Sequence, residues 1–470
     1  MASQSRPGCW TCKRYDRKLV WPNQPDGRRK TPNLPTHTAP ELDHSSGFYY
    51  GQQFLNISFD DFEQGRRGLG PLSLLSKTNT RPQQSLNLVP ELQGHDADLL
   101  LYYREKIAGL ISTVDANNGF RQELLPMAMA SDDFAAQALR SAMIALSAFH
   151  LHGTGAALPY KTKAITYLNR ALQPESIVDG QLEPQIAASM MLCVYNVFDE
   201  SEGDWHIYLD GSRKMLQIYA DKKGGALGYD FLNTWFLYHE ILGAFSQPHK
   251  HRYEGAASLE LIRGSELDKS VIIGSLGCSI EIMEIIHNIN QLRYIATRKS
   301  SEEDMQPDYP PVMWTYKGLH DRLSRHKQQL PPDYQQRPVR EQTKVQLTAE
   351  LYRIAALLYL RAICPSTNTV SRGPDWIDSA FEVLGGLEIC TSPWPLFVVA
   401  CESQTDQQRI TILRTLDRMD EDRKIGNVHV LRSLIENFWK QQDLQADEDR
   451  VEPLRWWELR NSNSPAPWFI

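Results

Sequence analysis

The sequence predicts an all-α protein, and three observations support that fold class. Apolar residues recur at intervals of three and four along most of the chain after residue 93, as one face of a helix requires. Strand-like alternation is scarce, and no two strand-like runs are joined by an Asn-Gly or Asp-Gly turn. The chain is 41% hydrophobic and 23% charged, which is a globular composition. We expect a multi-helix body of about ten to twelve helices.

The first helices of this body are predicted from apolar stripes and from residues that begin helices. Residues 100–114 carry apolar side chains on one face. Ser131 is expected to begin the next helix, because Asp132 and Asp133 place carboxylates at the positive end of the helix dipole. A further stripe covers residues 160–172. Small side chains predict that two of these helices pack closely as an antiparallel hairpin, namely Ala138, Ala142 and Ala145.

Further helical segments follow along the rest of the body. Pro374 lies just before Asp375 and suits the first turn of a helix, whereas Pro365 ends the segment before it. The apolar period predicts helices at residues 184–198, 204–220, 229–246, 279–298, 344–363, 375–389, 406–420 and 427–440.

Composition and charge divide the chain into four regions. Residues 1–21 form a basic arm, 22–92 a proline- and polar-rich linker that we expect to be disordered, 93–445 the helical body and 446–470 a C-terminal tail. The formal net charge of −7 combines +6 in residues 1–30 with −13 in the rest. This asymmetry suggests that the N-terminus faces a polyanion, and it excludes a uniformly basic nucleic-acid coat.

One segment of the linker, residues 47–63, combines aromatic with acidic side chains. Its members are Phe48, Tyr49, Tyr50, Phe54, Phe59 and Phe62, beside Asp60, Asp61 and Glu63. Two interpretations stay open. The segment docks on the helical body, or it is an acidic–aromatic activation segment that binds a coactivator.

Several classes of protein are excluded by the sequence. No apolar run reaches about 18 residues, so no membrane-spanning helix is expected, and no apolar segment near Met1 suggests a secretory signal. Seven cysteines are too few for a disulfide scaffold. Five of them stand singly in apolar stretches and are predicted to be buried, namely Cys193, Cys278, Cys364, Cys390 and Cys401.

No catalytic constellation is found in the sequence, and we expect no enzyme activity. There is neither a Gly-x-Ser-x-Gly elbow nor a phosphate-binding loop. His239-Glu240 begins like a zinc-protease motif, but Gly243 stands where the second histidine is needed. The other candidates have structural explanations, which are capping for Asp132 and Asp133, a polar helix end for His150 and His152, and core packing for Trp205, His206 and Tyr208.

Cys9 and Cys12 form a Cys-x-x-Cys pair beside Lys13 and Arg14. A redox pair would need a βαβ context that the sequence lacks. A zinc site would need further ligands, because tetrahedral Zn²⁺ takes four. The pair is therefore at most half of a metal site, beside cations that suit phosphate contacts.

The arm and the body both resemble one family, the fungal zinc binuclear cluster transcription factors. Gly8-Cys9-Trp10-Thr11-Cys12-Lys13 resembles the opening of their zinc cluster, and Tyr15 to Pro22 resembles the stretch after its last cysteine. The body resembles their helical fungal-specific transcription factor domain at residues 100–114, 124–126, 145–150, 205–211, 394–402, 427–429 and 438–439.

The resemblance implies a nuclear regulator of RNA polymerase II promoters rather than an enzyme. It implies zinc at Cys9 and Cys12, and contacts with promoter DNA from Lys13, Arg14, Arg17 and Lys18. A homodimer stays open, although no heptad repeat follows the arm.

The arm departs from the family pattern in one respect. A complete cluster holds two zinc ions with six cysteines, whereas no cysteine follows Cys12 until Cys193. Lys13-Arg14 joins almost directly onto the stretch that normally follows the cluster. Two explanations stay open. An internal exon is missing from the sequence as given, or a genuine loss has left an effector-binding or protein-interaction regulator without specific DNA binding.

Overall fold

Helices make up nearly all the regular structure of the described residues in this computed structural model, so the predicted all-α class is confirmed. The structure describes residues 94–115, 117–173, 182–199, 205–223, 230–247, 259, 267–298, 312–364, 376–447, 455–456 and 469. All of them belong to the second of two units into which the chain divides, Met1–Ser85 and Leu86–Ile470. The basic arm and the segment 47–63 lie outside the described residues.

Seven helices form the first half of the body. The first, α1, continues from His95–Tyr102 through a π-helical turn, Tyr103–Ile107, into Ala108–Leu110. A second π-helical turn, Phe120–Leu124, leads into α2. The helices from there are α2 (Leu125–Met129), α3 (Phe134–His152), α4 (Thr154–Ala171), α5 (Glu183–Phe198), α6 (Trp205–Lys223) and α7 (Asp230–Ser246).

The second half begins with a short antiparallel hairpin, in which Ile272–Ile273 (β1) pairs with Cys278–Ser279 (β2). A 3₁₀ turn, Pro332–Tyr334, interrupts the helices that follow. These are α8 (Ile280–Arg298), α9 (Val312–Arg325), α10 (Val339–Ile363), α11 (Trp376–Gly386), α12 (Pro393–Cys401), α13 (Asp406–Arg423) and α14 (Asn427–Asp447).

The described residues form fourteen helices when Ala108–Leu110 is counted with α1, more than the ten to twelve predicted. Three helices were not predicted. One is α2, whose five residues are too few to show a helical period. Every residue of α12 is buried, so its sequence shows no amphipathic stripe, and two prolines stand in its first turn. The third, α9, follows a stretch rich in prolines and charges that gives no starting signal.

The start of α3 corrects one detail of the sequence prediction. Asp133, not Ser131, is the N-cap residue, and its carboxylate accepts a hydrogen bond from the Ala136 amide at 2.8 Å. Ser131 instead donates its hydroxyl proton to Asp133 at 2.7 Å. Asp132 pairs with Arg140 at 2.7 Å. The prediction that this aspartate pair serves the helix start is therefore confirmed.

The helices α3 and α4 form the predicted hairpin. Gly153 is the single residue between them and has a φ of 79°, a backbone conformation that glycine adopts without strain. The alanines of α3 are buried, which lets the two backbones approach closely. This hairpin forms the centre of the first half of the body.

Two large hydrophobic cores and one small apolar cluster lie among the described residues. The N-terminal core contains most of the buried apolar residues from Leu99 to Phe236 together with Ile425. The C-terminal core contains most of those from Leu237 to Phe469. The small cluster consists of Val114, Ile272, Tyr334, Val345 and Ala349. Helix α7 belongs to both large cores, because Trp235 and Phe236 pack into the first and Leu237 and Tyr238 into the second. The cores therefore share an element and meet along a junction.

Candidate functional site

The residues predicted to bind zinc and DNA lie outside the described residues, so their arrangement stays a prediction. They are Cys9, Cys12, Lys13, Arg14, Arg17 and Lys18. The candidate site within the helical body is therefore the junction between the two cores and the aromatic cluster beside it.

The five body cysteines are buried, as predicted. Burial raises the pKa of each thiol, for example to about 11 for Cys364 and Cys390. Such thiols are poor nucleophiles and poor metal ligands. Within the part of the chain that the structure describes, no group of three or more His, Cys, Asp or Glu side chains is placed to hold a metal ion. The cysteines act as core residues.

His239 and Glu240 do not form a metal site. The Nδ1–H group of His239 donates to the Trp235 carbonyl at 2.9 Å, and complete burial lowers the pKa of this histidine to about 3. Glu240 instead pairs with Arg213 at 3.2 Å. Both side chains have structural partners, in agreement with the sequence interpretation.

His150 and His152 occupy the last turn of α3, as predicted. His150 is more than a helix end, because its ring joins two regions. Its Nδ1 lies 2.8 Å from the Tyr102 hydroxyl, and its Nε2 lies 3.1 Å from the Arg423 carbonyl. Since a carbonyl only accepts, Nε2 carries the proton and Nδ1 accepts from Tyr102. Burial lowers the pKa of His150, which favours this neutral form.

Arg423 is the central residue of the junction. Its guanidinium is buried, with 3% of the residue exposed, and donates to the carbonyls of Leu110 and Thr391, the latter at 2.8 Å. The backbone after it continues the contact, because Ile425 packs into the N-terminal core and the Gly426 amide donates to the Phe198 carbonyl at 3.2 Å. One buried side chain thus bridges both halves of the body.

The loop after α1 makes a second set of contacts across the junction. The Val114 amide donates to the Gly274 carbonyl at 2.9 Å, and the Thr113 hydroxyl to the Ser275 carbonyl at 3.2 Å. The Thr113 carbonyl accepts from Thr391 at 2.6 Å. The β1–β2 hairpin is therefore fixed to the first half of the body.

Two buried phenols lie next to this junction. The Tyr238 and Tyr352 hydroxyl oxygens are 3.1 Å apart, and Tyr238 donates to the Phe469 carbonyl at 2.7 Å. Burial raises the pKa of Tyr238 to about 12, so both phenols are neutral donors at physiological pH. The nearby Arg423 guanidinium opposes this shift. The pair connects the junction to the end of the chain.

Beyond the phenols lies an aromatic seat, which we define as Phe245, Tyr359, Trp394 and Phe397. The ring centroid of Phe245 lies 5.3 Å from that of Tyr359 and 5.8 Å from that of Trp394, and both pairs pack edge to face. The side chains of Trp456 and Phe469, which fall in the predicted tail 446–470, are buried against this seat.

Sequence reasoning missed both Arg423 and the aromatic seat. Arg423 stands in the charged run Asp420 to Lys424, which by composition belongs to a solvated helix face. The seat draws its residues from three helices far apart in sequence, so no local period reveals it. The one available signal was the aromatic content of the tail, in Trp456, Trp457, Trp468 and Phe469.

These features define an all-helical body with a polar junction and an aromatic cluster. Residues 98–470 match the family described as the fungal specific transcription factor domain. The chain belongs to this family. It is 25% identical over 370 residues to a protein of Pestalotiopsis fici called transcription factor iacI, covering 76% of this chain and 91% of that protein. No solved structure matches the chain.

None of the helices in the described ranges is both long and apolar enough to cross a membrane.

Proposed function

We propose that the protein is a nuclear regulator of RNA polymerase II promoters without catalytic activity, and that its sequence-specific DNA binding requires the zinc cluster that is incomplete in this sequence. The observation that carries this proposal is the family match over residues 98–470. The basic arm supports it, since a net charge of +6 in residues 1–30 suits a DNA backbone. Short basic clusters at Lys13-Arg14, Arg17-Lys18 and Arg28 to Lys30 suit nuclear import.

Zinc is the cofactor that the family resemblance implies, and the residues present do not fit it. Cys9 and Cys12 supply two thiolates, whereas one tetrahedral zinc ion needs four ligands and the binuclear cluster six cysteines. Because metal binding folds such small modules, the arm as written should not form a recognition helix. Its cations would contact phosphates without reading bases.

A second candidate function follows from the same observation. The helical body would act as an effector-binding or protein-interaction regulator that has lost specific DNA binding. The coactivator role of residues 47–63 fits either function. Reading the genomic DNA between the codons for Cys12 and Tyr15 separates the two origins of the incomplete cluster. An open frame with four spaced cysteines supports a missing exon, and uninterrupted coding sequence refutes it.

A gel-shift series with promoter fragments tests the function itself. Zinc-dependent, sequence-selective binding supports the promoter-binding regulator. Zinc-independent binding that disappears at moderate salt supports the second candidate. In that case the eight Lys and Arg side chains of residues 1–30 limit the slope of log affinity against log salt to about −7.2. A variant with Lys13, Arg14, Arg17 and Lys18 changed to alanine should reduce the magnitude of this slope by about 3.6.

A further inference from the structure

The hairpin of α3 and α4 carries charges of one sign, although the chain around it is acidic. Residues 134–171 contain four Lys or Arg and no Asp or Glu, whereas residues 31–470 together have a net charge of −13. Among the described helices, only α3 and α4 combine basic side chains with a complete lack of acidic ones. The hairpin is therefore a positive region on a negative body, which favours acidic partners.

Exposed apolar side chains are concentrated on the same hairpin. The described part of the chain exposes nine large hydrophobic side chains, and four of them belong to residues 134–172. These four are Phe134, Leu151, Leu158 and Leu172, of which Leu158 is 55% exposed. Apolar side chains that gather on a surface beside polar groups mark a site of protein interaction.

The outer face of α4 arranges its side chains in two parallel edges. Leu158, Ile165 and the C-cap residue Leu172 follow one another at intervals of seven residues and form an apolar edge. Leu158 and Leu172 are exposed, and Ile165 is half-buried. Lys163 and Arg170 are exposed, also stand seven residues apart, and form a cationic edge. At 1.5 Å per residue, the apolar edge is about 21 Å long.

Both cations of this face contact aromatic rings. The Lys163 ammonium lies 5.6 Å from the centroid of the Tyr160 ring, and the Arg170 guanidinium lies 5.5 Å from that of Phe134. The Phe134 ring stacks in turn on Tyr167, with 6.2 Å between the centroids. Within the described ranges, neither cation pairs with a carboxylate. A carboxylate from another molecule would therefore meet a cation that the rings already position.

We propose that the outer face of α4 docks an amphipathic helix of a partner protein. Apolar side chains of that helix cover Leu158, Ile165 and Leu172, and its carboxylates pair with Lys163 and Arg170. This proposal goes beyond the proposed function and holds whether or not the arm binds DNA.

The two edges favour this occupant over the others. Edges that repeat every seven residues match a second helix lying alongside, because paired helices share that repeat. The same face of a second copy would place cations against cations, which opposes pairing. Duplex DNA would gain two phosphate contacts, from Lys163 and Arg170, and would meet apolar side chains on an acidic body.

Binding of a designed peptide to the full wild-type chain tests the proposal. The probe is an alanine-rich helical peptide of about 21 residues, with leucine at every seventh position and glutamate along the neighbouring edge. Its counterpart carries lysine in place of each glutamate. By fluorescence anisotropy, the glutamate peptide should bind at least about tenfold more tightly than the lysine peptide, and salt should weaken it. Equal binding of the two peptides, or no binding at about 1 mM, overturns the proposal.

Charge reversal tests whether this face binds the peptide. The double variant Lys163→Glu, Arg170→Glu should bind the glutamate peptide at least about tenfold more weakly than the wild type. The matched control is Arg325→Glu, Lys327→Glu, which reverses two exposed cations at the end of α9 and changes the net charge equally. Its affinity should change less than about twofold. Equal losses in both, or unchanged binding in the first because the peptide sits on the basic arm, refute the proposal.

The apolar edge is tested in the same way. The double variant Leu158→Ser, Leu172→Ser should weaken binding at least about fivefold. Ile207→Ser, Ile218→Ser on α6 is the matched control, because it removes two exposed aliphatic side chains away from this face, and its affinity should stay unchanged. All four side chains are exposed, so both variants should fold. Wild-type affinity of the leucine variant would contradict docking of a helix.

Two further measurements distinguish the other occupants. If the wild type forms a dimer by sedimentation and the charge-reversed face abolishes it, the face joins two copies of this chain and the proposal is wrong. A duplex DNA fragment should bind the variant Lys163→Glu, Arg170→Glu within about twofold as well as it binds the wild type. A loss of about tenfold or more would assign the face to nucleic acid instead.

Discussion

The two cores of the body differ in the size of the side chains that fill them. Alanines of α3 and α5 contribute heavily to the N-terminal core, where helices approach closely. Among the described residues, the N-terminal core contains ten buried alanines and the C-terminal core four. Large aromatic rings are nearly equal in number, nine in the N-terminal core and ten in the C-terminal core. The first core is completed by regular helices, and the second by side chains from the end of the chain.

This difference indicates that the two cores respond differently to changes in side-chain volume. Close helix packing gives the N-terminal core few alternatives, because densely packed interiors resist changes in volume. The C-terminal core instead includes the separate contacts of Trp456 and Phe469. The junction at Arg423 connects the two, so changes there should have the largest effects.

The largest effect is expected from Arg423→Met. The change keeps an apolar stem but removes the donors that satisfy the Leu110 and Thr391 carbonyls. Buried carbonyls left without donors cost about 1–3 kcal/mol each, so the free energy of unfolding should fall by about 3 kcal/mol. Urea denaturation followed by far-UV circular dichroism measures this change in the free energy of unfolding.

Arg418→Ala is the matched control, because this arginine lies on the same helix and makes an exposed contact with the Glu388 carbonyl at 3.4 Å. Its effect should stay within about 0.5 kcal/mol. If Arg423 couples the cores, Arg423→Met should also broaden the transition or split it in two. Equal, small effects of both variants would contradict the assigned role of Arg423.

The next effect concerns the hairpin that carries Gly277. This glycine has a φ of 74°, and a Cβ atom there would lie 2.3 Å from Cγ2 of Thr113. Gly277→Ala should therefore lower the free energy of unfolding by about 2 kcal/mol through backbone strain and collision. Gly318→Ala in α9 meets no atom within 4 Å and should be neutral or stabilising. Thermal unfolding of both variants tests the difference.

Most of the fold was predictable because its helices are amphipathic. The segment predicted at 406–420 is Asp406–Arg423, and the one at 279–298 is Ile280–Arg298. The segment predicted at 184–198 is Glu183–Phe198, which is buried nearly all round and whose length of 16 residues indicates a helix rather than a strand. The prediction of helix ends was weaker where the chain continues without a stop signal, so 427–440 became Asn427–Asp447. A helix buried on all sides, such as Pro393–Cys401, carries no stripe that a sequence period could detect.

The candidate site was far less predictable than the helices. Arg423 and His150 are 273 positions apart in sequence, and nothing in either local sequence indicates the other. The hydrogen bonds of Arg423 run to backbone carbonyls, which every residue has, so no particular residue type in the sequence indicates them. The contact of Tyr238 with Phe469 spans 231 positions. Tertiary packing determines these contacts, and local propensity has no part in them.

Between pH 6.5 and 5, a smaller effect of less than about 2 kcal/mol is expected from the histidine on the helix shared by both cores. His239 has a pKa of about 3 in the folded protein, below its ordinary value near 6.5 in the unfolded chain. The unfolded chain therefore binds more protons below pH 6.5, and stability falls as pH falls from 6.5 towards 3. The contribution approaches about 1.4 kcal/mol per pH unit.

Urea denaturation of His239→Gln between pH 6.5 and 5 tests this contribution. The slope of the free energy of unfolding against pH should decrease by the equivalent of about one bound proton. It should not vanish, because burial also lowers the pKa of His150 and His326. An unchanged dependence would show that His239 does not stay neutral in the folded protein.

The smallest effect compares helix starts in the two halves. Asp133 caps α3 beside the N-terminal core, and Thr405 caps α13 in a capping box with Gln408. Asp133→Ala and Thr405→Ala should each cost about 1 kcal/mol, because each leaves an amide of the first turn without its acceptor. Hydrogen exchange should then report fraying at α3 in the first variant and at α13 in the second. Since α13 ends at Arg423, fraying that spreads from Thr405→Ala into α3 would mean that the junction transmits local opening from the second half to the first. Fraying confined to α13 would mean that the junction does not transmit local opening from the second half to the first.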